Sequence, residues 1–206
     1  MQQDSGRSPS PGSSSAKTGD AVRERILETA SGLFYREGVR AVGVDLVVAE
    51  AGVAKTSLYR HFRTKDDLIA AFLEREDKDF WRTWDEVADR HPGDPSGELA
   101  AHMDWIGERV GRPRYRGCPQ LNVAAEFPQD EHPARRVATA HKLELRRRLL
   151  AIAQGLGVAR AETLAGQLTV LINGAFVSSP ILSASEATGL LQGAAQALVE
   201  AARRPV

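Results

Sequence analysis

Cysteine is almost absent from this chain: Cys118 stands alone among 206 residues. An internal disulfide is excluded, and so is any metal site built on paired cysteines. A lone thiol suits a reducing compartment. Long apolar runs are missing too. None approaches the roughly 18 residues of a membrane span, and the N-terminus has no apolar segment of the secretory type, so a cytoplasmic protein is expected. Neither sign of charge is in excess, since 27 Lys and Arg stand against 27 Asp and Glu. Any affinity for a polyanion must therefore come from a local concentration of charge. No His-Glu-x-x-His and no phosphate loop with its lysine is present, and the Gly155-Leu156-Gly157 step lacks a third glycine and a preceding strand. No cofactor, no metal and no catalytic activity are expected. Alternating apolar and polar positions are also lacking, which leaves helices as the building material.

What is present is helical periodicity nearly end to end, and it predicts an all-α chain of about nine helices. Residues 1–19 are rich in Ser, Gly and Pro and are expected to form a disordered tail. Asp20 is a good cap for a first helix, with Val22, Ile26, Leu33 and Phe34 down one face and Gly38 at its end. A long helix is predicted from Lys65 or Asp66 to about Arg90, docking through Leu68, Ile69, Phe72 and Leu73. The segment His91 to Glu98, with two prolines and two glycines, breaks the chain. Helices follow over Leu99 to about Val110, Gln120 to Phe127, Pro133 to about Gln154, Arg160 to about Val177, and Ala184 to about Arg203. The expected organisation is a tail (1–19), a small head (20–65) and a larger helical domain (66–206).

Within the head, the stretch from Val44 to Lys65 carries the chemistry. Val44, Val47, Val48 and Ala51 share one face of a short helix at i, i+3, i+4 and i+7. Gly52 suits its C-cap. A second helix begins near Lys55, where Leu58 and Phe62 point towards the valines. Its other side shows Lys55, Thr56, Tyr59, Arg60 and Arg63, and no Asp or Glu occurs from Gly52 to Lys65. A basic helix face is in most proteins merely solvated. Here it sits on a helix–Gly turn–helix unit with an apolar seam, the pattern of a helix-turn-helix.

The residue order sharpens this. The segment AGVAKTSLYRHFRTKDDL (51–68) closely resembles the signature of the TetR/AcrR family of transcriptional regulators. The upstream RERILETASGLFYREGVRAVGV (23–44) resembles that family's first helix and the bend after it. Gly43 replaces the usual Thr or Ser cap, Leu46 stands where a polar residue is commoner, and Ala54 replaces a frequent Ser. The resemblance implies a double-stranded DNA operator as partner. Tyr59, His61 and Lys65 would position the DNA backbone; Lys55 and Arg60 can neutralise phosphates, and Thr56, Ser57 and Arg60 are candidates for base edges. The resemblance also implies a homodimer through the two C-terminal helices (160–177 and 184–203), both rich in small and apolar residues on more than one face.

The remaining aromatics suggest a small-molecule effector, apolar or amphipathic, held among the core helices. Trp81, Trp84, Trp105, Phe127 and Phe176 are the candidate lining, with His102, Asn122 and His141 as polar handles. Aromatics at helical spacing are as a rule plain core, so this expectation is the looser one. The reading reached is a ligand-responsive repressor on a near-palindromic operator. Two alternatives stay open: a helical ligand- or partner-binding protein that does not read DNA, and a regulator switched by oxidation of Cys118, whose basic loop YRGCP could lower a thiol pKa. No His lies near Cys118 in sequence; His102 or His141 would have to be brought to it by the fold.

Overall fold

The computed structural model describes residues 12–204. Among these residues there are nine α-helices, one short 3-10 turn and no strand. The helices are α1 (Gly12–Glu37), α2 (Val44–Ala51), α3 (Lys55–His61), α4 (Lys65–Ala88), α5 (Pro95–Val110), α6 (Pro119–Glu126), α7 (Pro133–Gly155), α8 (Ala161–Val177) and α9 (Ala184–Arg203). The chain separates into two compact units after Leu68, within α4.

The first unit is built on α1. Ile26, Ala30, Leu33 and Phe34 are buried along one side of it, together with Val47 and Ala51 of α2 and Leu58 of α3. The turn between α2 and α3 depends on Gly52, which takes a left-handed conformation (φ 61°). From there Val53 N–H reaches back to Val48 O at 3.2 Å. A residue with a β-carbon would be strained at that position. At the start of α4, Thr64 and Asp67 cap each other: the Thr64 hydroxyl accepts from Asp67 N–H and the Asp67 carboxylate from Thr64 N–H, both at 3.0 Å. Two otherwise orphaned donors are thereby satisfied.

One expectation needs correction here. α1 begins at Gly12 and not at Asp20, so the second part of the expected tail is helical. No proline interrupts residues 12–19, and extending a helix already nucleated costs little per residue. The earlier part of the expected tail, 1–11, lies outside the described residues.

In the second unit, α5 runs beside α9, and α8 lies between α7 and α9. Its core includes Phe80, Trp84, Met103, Ile106, Leu145, Leu149, Leu168, Ile172, Phe176 and Leu191. The α5–α9 crossing is close because two glycines four apart face it. A β-carbon on Gly107 would lie 2.6 Å from Thr188 Cα, and one on Gly111 would lie 2.3 Å from Ala184 Cα. The break expected at His91 to Glu98 is shorter than that span. α5 starts at Pro95, with Asp94 accepting from Gly97 N–H at 2.9 Å. An Asp cap followed by proline in the first turn starts a helix better than it interrupts one. The 3-10 turn Ser179–Ile181, between α8 and α9, was not anticipated.

Candidate nucleic-acid interface

The orientation of α3 is decided by its two apolar side chains. Leu58 is fully buried and Phe62, which follows the helix, is nearly so. The Arg23 guanidinium lies 5.0 Å over the Phe62 ring and closes that side. Burying each such side chain is worth about 1.5–3 kcal/mol. Turning α3 over would forfeit both, so its opposite face must point to solvent. There Lys55, Thr56, Tyr59 and Arg60 are exposed, with Arg63 beyond the helix end. Tyr59 keeps 44% of its surface in water, a large value for an aromatic ring.

The other expected contact residues lie at the margins of this ridge. Ser57, His61 and Lys65 are half-buried. His61 Nε2 is enclosed and has no hydrogen-bond partner, and α1 passes close by: a β-carbon on Gly19 would be 4.0 Å from His61 Cε1. Lys55, Tyr59 and Arg60 are therefore more open to solvent than His61. Sequence reasoning missed Asp45. Its carboxylate, on the first turn of α2, meets Lys55 Nζ at 2.6 Å, and this bond and charge raise the Lys55 pKa. The acid-free run from Gly52 to Lys65 is intact, but one of its cations is shared with an acid outside it.

Most of the candidate effector residues do come together in the second unit, though not around a large cavity. Phe80 packs edge-on against Trp81 and lies 4.9 Å from Trp105, measured between ring centroids. Trp84 stacks on His102 at 3.7 Å. Phe176 closes the cluster from α8, 6.4 Å from Phe80. His102 Nε2 lies 3.4 Å from Glu98 Oε1, yet this is not an ion pair. Burial holds the imidazole neutral, with a pKa of about 3, and also pushes the Glu98 carboxyl up.

Two candidates stand apart. Asn122 is exposed and its Nδ2 donates to Arg116 O at 2.8 Å, bracing a loop. Phe127 stacks on His132 at 3.8 Å.

His141 is the exception among the polar handles. Its Nδ1 shares Asp77 Oδ1 at 2.7 Å, and Trp81 Nε1 donates to the same oxygen at 2.7 Å. Beside it lies a small cavity, with room for about one water molecule (≈10 Å³), bordered by Glu76, Phe80, Arg109, Cys118, Gln120 and Phe176. Asp77, Arg109 and Gln120 were not foreseen as site residues. The four-residue spacing of Asp77 and Trp81 on one helix was the signal available for the first of them. Among the described residues no cluster of His, Cys, Asp and Glu could hold a metal ion, and no helix is long and apolar enough to cross a membrane.

A glycine-turned helix pair with a cationic, tyrosine-bearing outer helix, in a chain that also carries a larger helical unit, defines a helix-turn-helix regulator. Residues 26–72 match the model of the bacterial regulatory proteins of the tetR family. The structure of SCO4454, a TetR-family transcriptional regulator from Streptomyces coelicolor, superposes with a TM-score of 0.84 at 28% identity, covering 90% of this chain and 97% of that one. The Streptomyces avermitilis protein sav143 is 33% identical over 89% of this chain and 99% of its own, with a TM-score of 0.76. Among curated relatives, the transcriptional repressor SCO4008 of Streptomyces coelicolor is 30% identical over 134 residues, or 60% of this chain. The alignments span less than two thirds of such relatives: 65% of SCO4008, and 36% of the regulator AcrR of Shigella flexneri. The chain belongs to the TetR family of helix-turn-helix transcriptional regulators, a family that is not enzymatic.

Proposed function

We propose that this regulator is a homodimeric repressor that grips a near-palindromic operator and releases it when a small apolar or amphipathic effector binds. The observation that carries the reading is the outward ridge of Lys55, Thr56, Tyr59 and Arg60 over the buried Leu58. Lys55 and Arg60 neutralise phosphates, Tyr59 and Lys65 set the register on the backbone, and Thr56, Ser57 and Arg60 face base edges. Repression as the sign of control follows the likeness to SCO4008.

Dimerisation through α8 and α9 is supported by what those helices leave uncovered. Val170 and Val177 of α8 and Leu190 of α9 are largely exposed, and Ile181 between the helices more so. An open apolar groove of about 820 Å³ runs between α8 and α9, lined by Gly166, Val170, Leu171, Ala194, Ala197 and Leu198. A contiguous apolar face of this kind is rare on a monomer. A twofold pair would present two recognition helices about one DNA turn apart, roughly 34–36 Å.

The effector reading rests on the aromatic cluster and the cavity beside His141. With room for about one water, that cavity admits a larger molecule only in a more open arrangement. The effector then acts by favouring the open state. α4 carries residues of both compact units, so a shift of α4 is the proposed route to the head. A hundredfold preference for the open state supplies about 2.7 kcal/mol.

Selection of bound fragments from random DNA tests the proposal. The expected product is a twofold site whose half-sites are one turn apart, bound with a steep salt dependence of about 0.9 per phosphate contact on a log–log scale. Binding that is weak, salt-insensitive and without sequence preference would leave a helical protein that no longer reads DNA.

A further inference from the structure

Cys118 caps the N-terminus of α6, and its sulfur is nearly buried. What faces it is unusual for a structural cysteine. Lys142 Nζ lies 3.6 Å from Sγ and donates to Asn173 Oδ1 at 2.8 Å. His141, next in the chain to that lysine, has its Nδ1 on Asp77 at 2.7 Å. Two further atoms border the same cavity without a hydrogen-bond partner: His141 Nε2 and Gln120 Oε1. Their residues are only 3% and 2% exposed, so water outside the protein does not satisfy them. Buried polar atoms left unpaired are costly, and two of them converging on one small space mark a place for a small polar molecule. The outer wall is the pair Glu76 and Arg109, 4.0 Å apart and each partly exposed, which leaves a way in for something small.

The protonation states fit together. Burial pushes the Cys118 thiol up, but the neighbouring His141 and the Lys142 charge outweigh it and bring the pKa down to about 7. Burial likewise opposes charge on His141, and the bond to Asp77 with the nearby Cys118 sulfur overcomes it, so the imidazole holds its proton more firmly than usual. A sulfur anion, an imidazolium behind it and a carboxylate orienting the imidazolium form the arrangement that activates a nucleophile.

We propose that Cys118, with His141 and Asp77, is a site at which a small hydroperoxide oxidises the thiol to a sulfenic acid. This goes beyond operator binding and does not depend on it. The thiolate attacks one peroxide oxygen, an S–O bond forms and the O–O bond breaks. The sulfur loses two electrons to the peroxide. The departing oxygen takes the proton from His141 Nε2 and leaves as water when the oxidant is hydrogen peroxide. The products are Cys118–SOH and a neutral His141. The chain has no second cysteine to trap the sulfenic acid as an internal disulfide. Lys142 loses the anion it faced, and the Asp77–His141 bond loses its charge assistance. Because Asp77 also holds the Trp81 indole, and Gln120 Nε2 donates to Leu73 O at 2.9 Å, the change reaches α4 at two places.

The test treats the folded, full-length protein with hydrogen peroxide in the presence of dimedone and maps the adduct by mass spectrometry. One adduct at Cys118 is expected, with a rate whose half-point lies near pH 7 and a shift in tryptophan emission that accompanies oxidation. His141→Gln should slow labelling about tenfold or more and move the half-point towards the value of a free thiol, about 8.5. Asp77→Asn alters a side chain already 31% exposed, so it tests the same relay should His141→Gln unfold. Its half-point should move the same way. Three results would overturn the proposal: a native protein inert to peroxide whose urea-unfolded chain is labelled; folded variants with native rate and half-point; or a bulky maleimide that reacts as fast as peroxide, which would place the sulfur on an open surface.

Discussion

The proposed dimer face on α8 and α9 offers the sharpest quantitative test. Val170 lies at the middle of α8 with 72% of its surface exposed in the single chain. Replacing it by Ala removes two methyl groups, each worth about 0.8 kcal/mol when taken fully out of water. Scaled by the exposed fraction, the loss is about 1.2 kcal/mol per protomer. A twofold interface uses the residue twice, so the dimer should weaken by about 2.3 kcal/mol, roughly 40-fold in Kd. Val170→Asp should do far more, since two like charges would be brought towards a desolvated seam. Sedimentation velocity over a dilution series measures both, and circular dichroism checks that the helices remain. The fold should survive, because the side chain contributes little to the core of its own subunit. A Val170→Asp protein that stays dimeric with unaltered Kd would refute the argument, and so would a native chain that is monomeric at high concentration.

On the DNA side, Tyr59→Ala should weaken operator binding by about 10- to 100-fold, the worth of one hydrogen bond to a charged phosphate, while the thermal midpoint stays near native. Unchanged affinity in a gel-shift titration would remove Tyr59 from the interface. The acid dependence of stability should carry a contribution from His102, whose folded pKa of about 3 lies below the ordinary 6.5. Below about pH 6.5 the unfolded chain takes up a proton that the folded chain refuses, so this contribution falls by about 1.4 kcal/mol per pH unit until pH 3 is approached. His102→Phe, which keeps a ring on Trp84, should flatten that part of the curve in urea unfolding; equal slopes in the two proteins would contradict it.

Several elements could be read directly because the forces that make them act over a few residues. The helix pair and its Gly52 turn follow from valines four apart and from a backbone angle that side chains resist. α7, α8 and α9 begin and end within a residue or so of the expected limits, where proline, glycine and serine punctuate the periodicity. Where the structure departs from expectation, a second local signal decides the outcome. Asp94 and Pro95 start α5 inside what read as a break, and an uninterrupted backbone carries α1 back to Gly12. The candidate effector residues separated differently. Trp84, Trp105 and Phe176 belong to one buried cluster, but aromatic character alone could not tell them from Phe127, whose ring stacks on His132.

Local order along the chain was enough to determine an all-helical protein with a basic, outward-facing recognition helix, since helix period, caps and the burial of Leu58 and Phe62 are matters of spacing. The company kept by Cys118 was beyond its reach. Asp77, Cys118 and His141 come from α4, the start of α6 and α7, 41 and 23 residues apart. Nothing in spacing brings them together; the packing of three helices does. Whether that thiol is inert or reactive was therefore decided by tertiary structure alone, because a pKa answers to the charges and the water nearest in space, not to the neighbours in the chain.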